Sequence, residues 1–168
     1  SGKKNLRLLA AGSSRGETDY QIRRVSGGIL TQEVDRILLG PDTRVVTRRS
    51  RSDAEYRDLM FAFRVVKHVK SNAIVLAREG RTLGVGAGQM SRVDSVRISV
   101  QKAAGNARGA LLGSDAFFPF RDGIDEAGKA GISAIIQPGG SLRDAEVIEA
   151  ANEYGMAMIF TGLRHFRH

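Results

Sequence analysis

The chain of 168 residues carries 26 Lys and Arg against 18 Asp and Glu, a formal net charge of +8. Its 42% hydrophobic and 26% charged residues exclude a wholly disordered chain, and the length allows one domain or two small lobes burying about two-thirds of their surface. No apolar run approaches the roughly 20 residues of a membrane span, the start Ser1-Gly2-Lys3-Lys4-Asn5 lacks the apolar core of a signal peptide, and the absence of Cys removes disulfides, thiolate nucleophiles and Cys-ligated zinc. A cytoplasmic location is the expectation.

Short strands are predicted over Asn5–Leu9, Tyr20–Val25, Ile29–Gln32 and Arg44–Thr47, with a loop over residues 10–19 and a turn at Gly27-Gly28. Residues 1–51 read as a strand-rich connector and residues 52–168 as the main lobe. Ser52 and Glu55 have capping-box spacing and open a helix to about Val69, with Tyr56, Leu59, Met60, Phe63 and Val66 on one face. Strands follow at Asn72–Ala77 and Thr82–Gly86, joined by a turn at Glu79-Gly80. The next helix starts at Ser91 with Asp94 three residues on, and Val93, Val96, Val100 and Ala103 as its buried face. Strands Ala110–Gly113, Ile132–Ile136 and Met156–Thr161 then alternate with helices Gly123–Ala130 and Ser141–Tyr154, the latter opened by a Ser141/Asp144 capping box. Such alternation predicts an α/β fold in three layers, with helices on both faces of a largely parallel sheet that the close pair at 72–86 makes mixed. Ligands of such folds gather at the carboxyl ends of strands.

Several strings stand out. Gly84-Val85-Gly86-Ala87-Gly88-Gln89-Met90-Ser91-Arg92 joins a strand to a helix start, and either holds an anion on free N–H groups or serves tight packing. Three Phe around one Pro in Ser114–Gly123 form either a hydrophobic plug or an aromatic wall for a flat heterocycle, with Asp122 reaching a ring edge. Lys67-His68 is either a general base or two solvated cations favoured by a helix C-terminus. His165 and His168, with Arg164 and Arg167, form either an anion clamp or a frayed basic tail. The basic balance suggests anionic partners, yet no nucleic-acid-binding motif appears and only 6% of residues are aromatic, so nucleic acid is not the expected partner.

Taken in order, Lys67–Ala73, Gly84–Ser95, Ser114–Asp122, Gln137-Pro138-Gly139-Gly140-Ser141 and Phe160–His168 resemble the C-terminal half of AICAR transformylase, the folate-dependent formyltransferase part of the bifunctional purine-biosynthesis enzyme that also carries IMP cyclohydrolase. The resemblance runs from about Gln21 to the last residue. It implies a cytidine-deaminase-like lobe without zinc, one of two in a transformylase whose site lies between lobes at a homodimer interface. It implies transfer of a formyl group from 10-formyltetrahydrofolate to the 5-amino group of aminoimidazole carboxamide ribotide. Asn72, Arg92, Phe117 and Arg164 match nucleotide-contacting positions: Asn72 at the carboxamide, Phe117 at the base, Arg164 at phosphate. Val93, Asp122, Ser141 and Leu142 match folate-contacting positions, with Asp122 facing the pterin. A monovalent cation, held mostly by oxygen ligands, is implied near Asp115 and the tail, where His165 and Arg167 stand at variable positions.

The family's catalytic string Phe-Lys-His-Val-Ser-Pro belongs to the first lobe and is absent; Lys67-His68 occupies the corresponding place in this second lobe. The cyclohydrolase part is absent too, so the chain is either a piece of a longer enzyme or a split subunit needing a partner with the first lobe. Besides the formyltransferase half, two rivals stand: a non-catalytic or regulatory nucleotide-binding module, and an RNA-binding α/β domain motivated by the charge.

Overall fold

A computed structural model describes Ala10 and residues 20–167. The expected strand Asn5–Leu9, most of the expected loop over residues 10–19 and His168 lie outside the described residues. The chain divides into two units, Ser1–Arg36 and Ile37–His168. In the first, β1 (Tyr20–Val25) and β2 (Gly28–Glu33) form an antiparallel hairpin with Val25 opposite Gly28 and Tyr20 opposite Glu33. The turn is Ser26-Gly27, one residue earlier than expected, because Gly28 already pairs and Gly27 takes the left-handed φ of +80°.

The second unit is a six-stranded sheet in the order β3-β8-β7-β6-β4-β5. Its strands are β3 (Arg44–Val45), β4 (Ile74–Arg78), β5 (Arg81–Gly86), β6 (Leu111–Ser114), β7 (Ala134–Gln137) and β8 (Ala157–Phe160). Its helices are α1 (Asp53–Val66), α2 (Arg92–Ala103), α3 (Asp122–Lys129) and α4 (Asp144–Glu153), with one 3-10 turn at Ala104–Asn106. Only β6, β7 and β8 run parallel; β4 pairs antiparallel with both β5 and β6, and β3 with β8. The sheet is thus mixed, and the expectation of a largely parallel one yields to two antiparallel flanks.

Strand residues alternate between two cores. Ile74, Leu76, Leu112, Ile135 and Met158 pack under α2, α3 and α4 with Val96, Ile124 and Val147. Val75, Leu111, Ala134, Ile136 and Ile159 pack under α1 with Leu59, Phe63 and Val66. Three helices therefore cover one face and α1 the other. Leu59, Phe63 and Val66 are fully buried, and each contributes about 2 kcal/mol of transfer free energy.

The capping box of α1 forms as its spacing dictates: the Ser52 hydroxyl accepts from the Glu55 N–H at 3.2 Å, and the Glu55 carboxylate accepts from the Ser52 N–H at 2.8 Å. The helix ends at Val66 rather than near Val69, because the His68 and Val69 N–H groups turn to the carbonyls of Val65 and Val66, tightening the last turn. The buried face of α2 differs from its valine stripe. Val96 and Ala103 are buried, Val93 and Val100 only half so, and Arg92, Ser95 and Ser99 take their place. The cause is in β5: a Cβ on Gly84 or Gly86 would run into the backbone carbonyl of Ser99 or Ser95, so the helix rests its small serine side directly on a strand without side chains. At α4 the expected capping box changes form. Asp144 accepts from the Gly140 and Ser141 N–H groups at 2.7 and 3.1 Å, but the Ser141 hydroxyl accepts from Arg143, not Asp144.

Candidate functional site

Because β4 runs antiparallel to both neighbours, Ile74 at its start lies opposite Gly86 at the end of β5 and Ser114 at the end of β6. The segment before β4, the loop after β5 and the aromatic loop after β6 therefore meet at one edge. There they enclose a pocket of about 440 Å³ lined by Asn72, Met90, Ser91, Arg92, Val93, Ala116, Phe117, Pro119, Phe120, Asp122 and Phe166. That volume suits a small-molecule ligand.

Beneath the pocket lies a buried polar network. Arg92 is only 6% exposed, and one of its terminal nitrogens donates to the Ser114 hydroxyl at 2.8 Å and to Asp115 Oδ1 at 2.5 Å. The other donates to Asn72 Oδ1 at 2.9 Å. Asn72 in turn donates from its amide to the carbonyls of Gln89 and Met90 at 3.0 and 3.3 Å. Asp115 Oδ1 also accepts the Ala73 N–H at 3.2 Å, while Oδ2 is buried without a hydrogen-bond partner. Of the five guanidinium N–H groups of Arg92, three are spent on these acceptors.

Five of the predicted residues line this cavity: Asn72, Arg92, Val93, Phe117 and Asp122. Asp122 opens α3 and accepts the Gly123 N–H at 2.7 Å. Asp115 lies behind the wall rather than in it. Arg164 does not line the pocket but stacks on Phe166, which does, with its guanidinium carbon 5.3 Å from the ring centroid. Ser141 and Leu142 lie outside it, on the loop after β7, with Leu142 fully exposed. Lys67 and His68 also lie outside, at the end of α1, with His68 exposed.

The aromatic loop divides its roles: Phe118 is fully buried in the core, while Phe117 and Phe120 line the cavity. Plug and wall are both present, on neighbouring residues. The glycine-rich string goes to packing at Gly84 and Gly86, and its Arg92 is turned toward a carboxylate. His165 does not belong to an anion clamp. It is 2% exposed, its Nε2 sits 3.1 Å from the Leu38 carbonyl, and its ring meets Phe63 edge-on at 5.0 Å. The tail is fastened where Arg167 exchanges hydrogen bonds with Ser71: the Ser71 N–H donates to the Arg167 carbonyl at 2.8 Å and the Arg167 N–H to the Ser71 hydroxyl at 3.0 Å. The sequence assigns no role to Ser114, Pro119 or Phe166; the signal it carries for them is no more than a hydroxyl at a strand end and apolar residues in a loop and the tail.

Next to the site, Arg121 bridges α3 to α4, donating to Asp125 at 3.0 Å and to Glu153 at 2.6 Å. Those hydrogen bonds raise the Arg121 pKa and hold both carboxyls below their ordinary range. At the opposite end of the sheet, Glu55 accepts from Arg49 at 2.6 Å and Ser133 at 2.5 Å. Burial disfavours its charge, but these bonds and the Ser52 N–H outweigh it and lower the carboxyl from 4.5 to about 2. Among the described residues no group of three or more His, Cys, Asp or Glu could hold a metal ion, and no helix is long and apolar enough to cross a membrane.

The family model described as "AICARFT/IMPCHase bienzyme" matches residues 1–102. The bifunctional purine biosynthesis protein PurH of Magnetococcus marinus is 58% identical over 180 residues, spanning 99% of this chain and 34% of its own length. This chain belongs to the AICARFT/IMPCHase bienzyme family. A second member, the PurH of Caldicellulosiruptor bescii, is 54% identical over 99% of this chain and 33% of its own. The chain thus spans about a third of the length of the family relatives it matches. Among solved structures, a diaminohydroxyphosphoribosylaminopyrimidine deaminase/reductase from Thermotoga maritima covers 64% of this chain and 35% of its own at 17% identity, with a TM-score of 0.43, a likeness too slight to bear on function.

Proposed function

We propose that this chain is the nucleotide- and folate-binding half of a formyltransferase in purine biosynthesis, acting on aminoimidazole carboxamide ribotide and 10-formyltetrahydrofolate together with a lobe it does not itself contain. The observation that carries this reading is the single pocket in which Asn72, Arg92 and Phe117, expected at the nucleotide, adjoin Val93 and Asp122, expected at the folate. Membership of a family named for both enzyme activities supports it. The stacking of Arg164 on Phe166, which lines the cavity, supports a role for it at a phosphate.

The chemistry assigned to this half is positioning. The acceptor amine is a weak nucleophile, because the adjacent carboxamide withdraws its electrons, and attack on the formyl carbon needs a base to take its proton. Asp122 is the one carboxylate among the described pocket residues, and His68 and Lys67 stand outside the cavity. The two unspent N–H groups of Arg92 are suited to a carboxamide or a developing oxyanion. The unpartnered Oδ2 of Asp115 suits one oxygen ligand of a monovalent cation in this reading. A second copy of the chain, or the first transformylase lobe, completes the site in this reading.

That Asp122 is the one carboxylate among the described pocket residues favours one second reading, a binding module that does no chemistry alone. Calorimetric titration with the ribotide and then with a reduced folate, on the full chain and on Arg92→Ala and Arg164→Ala, tests the proposal. Saturable binding weakened in both variants supports it, and ligand binding without formyl transfer by the isolated chain favours the module. Failure of both ligands to bind would overturn the half-site reading.

A further inference from the structure

Gln137 ends β7 at the carboxyl edge of the sheet and is fully buried. Its Oε1 accepts two backbone N–H groups, from Phe118 and from Gly139, each at 3.3 Å. Its Nε2 donates to the Met158 sulfur at 3.4 Å. Phe118 belongs to the aromatic loop that forms one pocket wall; Gly139 opens the loop carrying Ser141 and Leu142. One side-chain oxygen therefore ties together two loops that no main-chain hydrogen bond is seen to join. At their outer ends the same loops meet again, where the Arg143 guanidinium lies 4.8 Å from the Phe120 ring centroid.

We propose that Gln137 is a positioning residue that sets the separation of these two loops, and with it how far Ser141 on one stands from Asp122 at the end of the other. The side chain fits the task chemically. A neutral carbonyl oxygen has two lone pairs for two N–H groups. A methionine of similar volume would leave the buried Phe118 donor and the half-buried Gly139 donor without their acceptor, and a glutamate would keep the acceptor at the cost of a buried charge. The role does not depend on the reaction, but its consequence for folate rests on the formyltransferase reading.

Amide hydrogen exchange followed by NMR on the full chain reads the fastening directly. In Gln137→Met the Phe118 and Gly139 amides should exchange about tenfold faster, the loss of one buried hydrogen bond each, while the Ala73 amide held by Asp115 stays unchanged. Gln137→Glu should restore part of the protection. Uniformly faster exchange at all three amides, or no change at Phe118 and Gly139, overturns the proposal. Titration with a reduced folate gives the second arm: about tenfold weaker binding in Gln137→Met is expected, because both loops carry folate positions, with the ribotide, which meets only the aromatic loop, weakened less. Equal weakening of both ligands, together with faster exchange at the Ala73 amide, would mean general loosening and would overturn the positioning role. If the unaltered chain binds no folate, the formyltransferase reading falls and the exchange data alone decide Gln137.

Discussion

Arg92 and Asp115 form an ion pair in which the carboxylate is fully buried and the guanidinium nearly so. Attraction between them offsets a desolvation cost that neither could bear alone. Asp115→Leu should therefore cost about 3–5 kcal/mol in urea denaturation, because it strands a buried charge. Arg92→Met should do comparable damage, and the pair of substitutions together should cost clearly less than the sum. Additive costs would show that the two residues act independently.

Adjacent phenylalanines separate stability from binding. Phe118→Ala empties a fully buried site and should cost about 3–5 kcal/mol. Phe117→Ala, on the pocket wall, should leave the unfolding midpoint nearly unchanged and weaken ribotide binding about tenfold. Thermal unfolding and calorimetry on the two variants check both halves of the statement.

Gly86→Ala tests the seat of α2. The added methyl would meet the Ser95 backbone, which cannot rotate away as a side chain can. A loss of about 2–3 kcal/mol is expected, together with weaker ribotide binding, since α2 begins at Arg92. A fully stable Gly86→Ala protein would mean that the helix can lift from the strand without loss.

Glu55 supplies a pH signature far from the pocket. Its folded carboxyl titrates near 2 against an ordinary 4.5. The ionised form is the one stabilised, so its contribution is full above pH 4.5 and drains away as the pH falls toward 2. At neutral pH, Glu55→Gln should lose at most about 3 kcal/mol. The gap between the two proteins in urea should narrow steadily on acidification; a gap that is constant with pH would assign the effect to packing.

Much of this architecture is legible in sequence where the physics is local. The Ser52/Glu55 box, the apolar face of α1 and the hairpin between β4 and β5 each depend on residues within a few positions of one another. What escapes is set by distant partners. The face of α2 cannot be read from its valines, because it is decided by two glycines on another strand. Arg92 reads as a charge for an anionic ligand, while its pairing with Asp115, 23 positions on, is not legible. Gln137 sits in a string that stands out, yet its two N–H partners lie in different loops. The pocket is legible as a set of residues but not as an enclosure: Phe166 arrives from the chain's end.

The antiparallel flanks have a consequence for self-association. Any sheet edge left long, flat and apolar presents a backbone ladder to an extended chain nearby. Here the outermost strand on one side, β3, is two residues long. On the other side β5 begins with exposed Arg81 and Thr82, and its later half carries glycines pressed beneath α2. Neither border offers a flat, apolar template, which are the features that invite edge-to-edge aggregation.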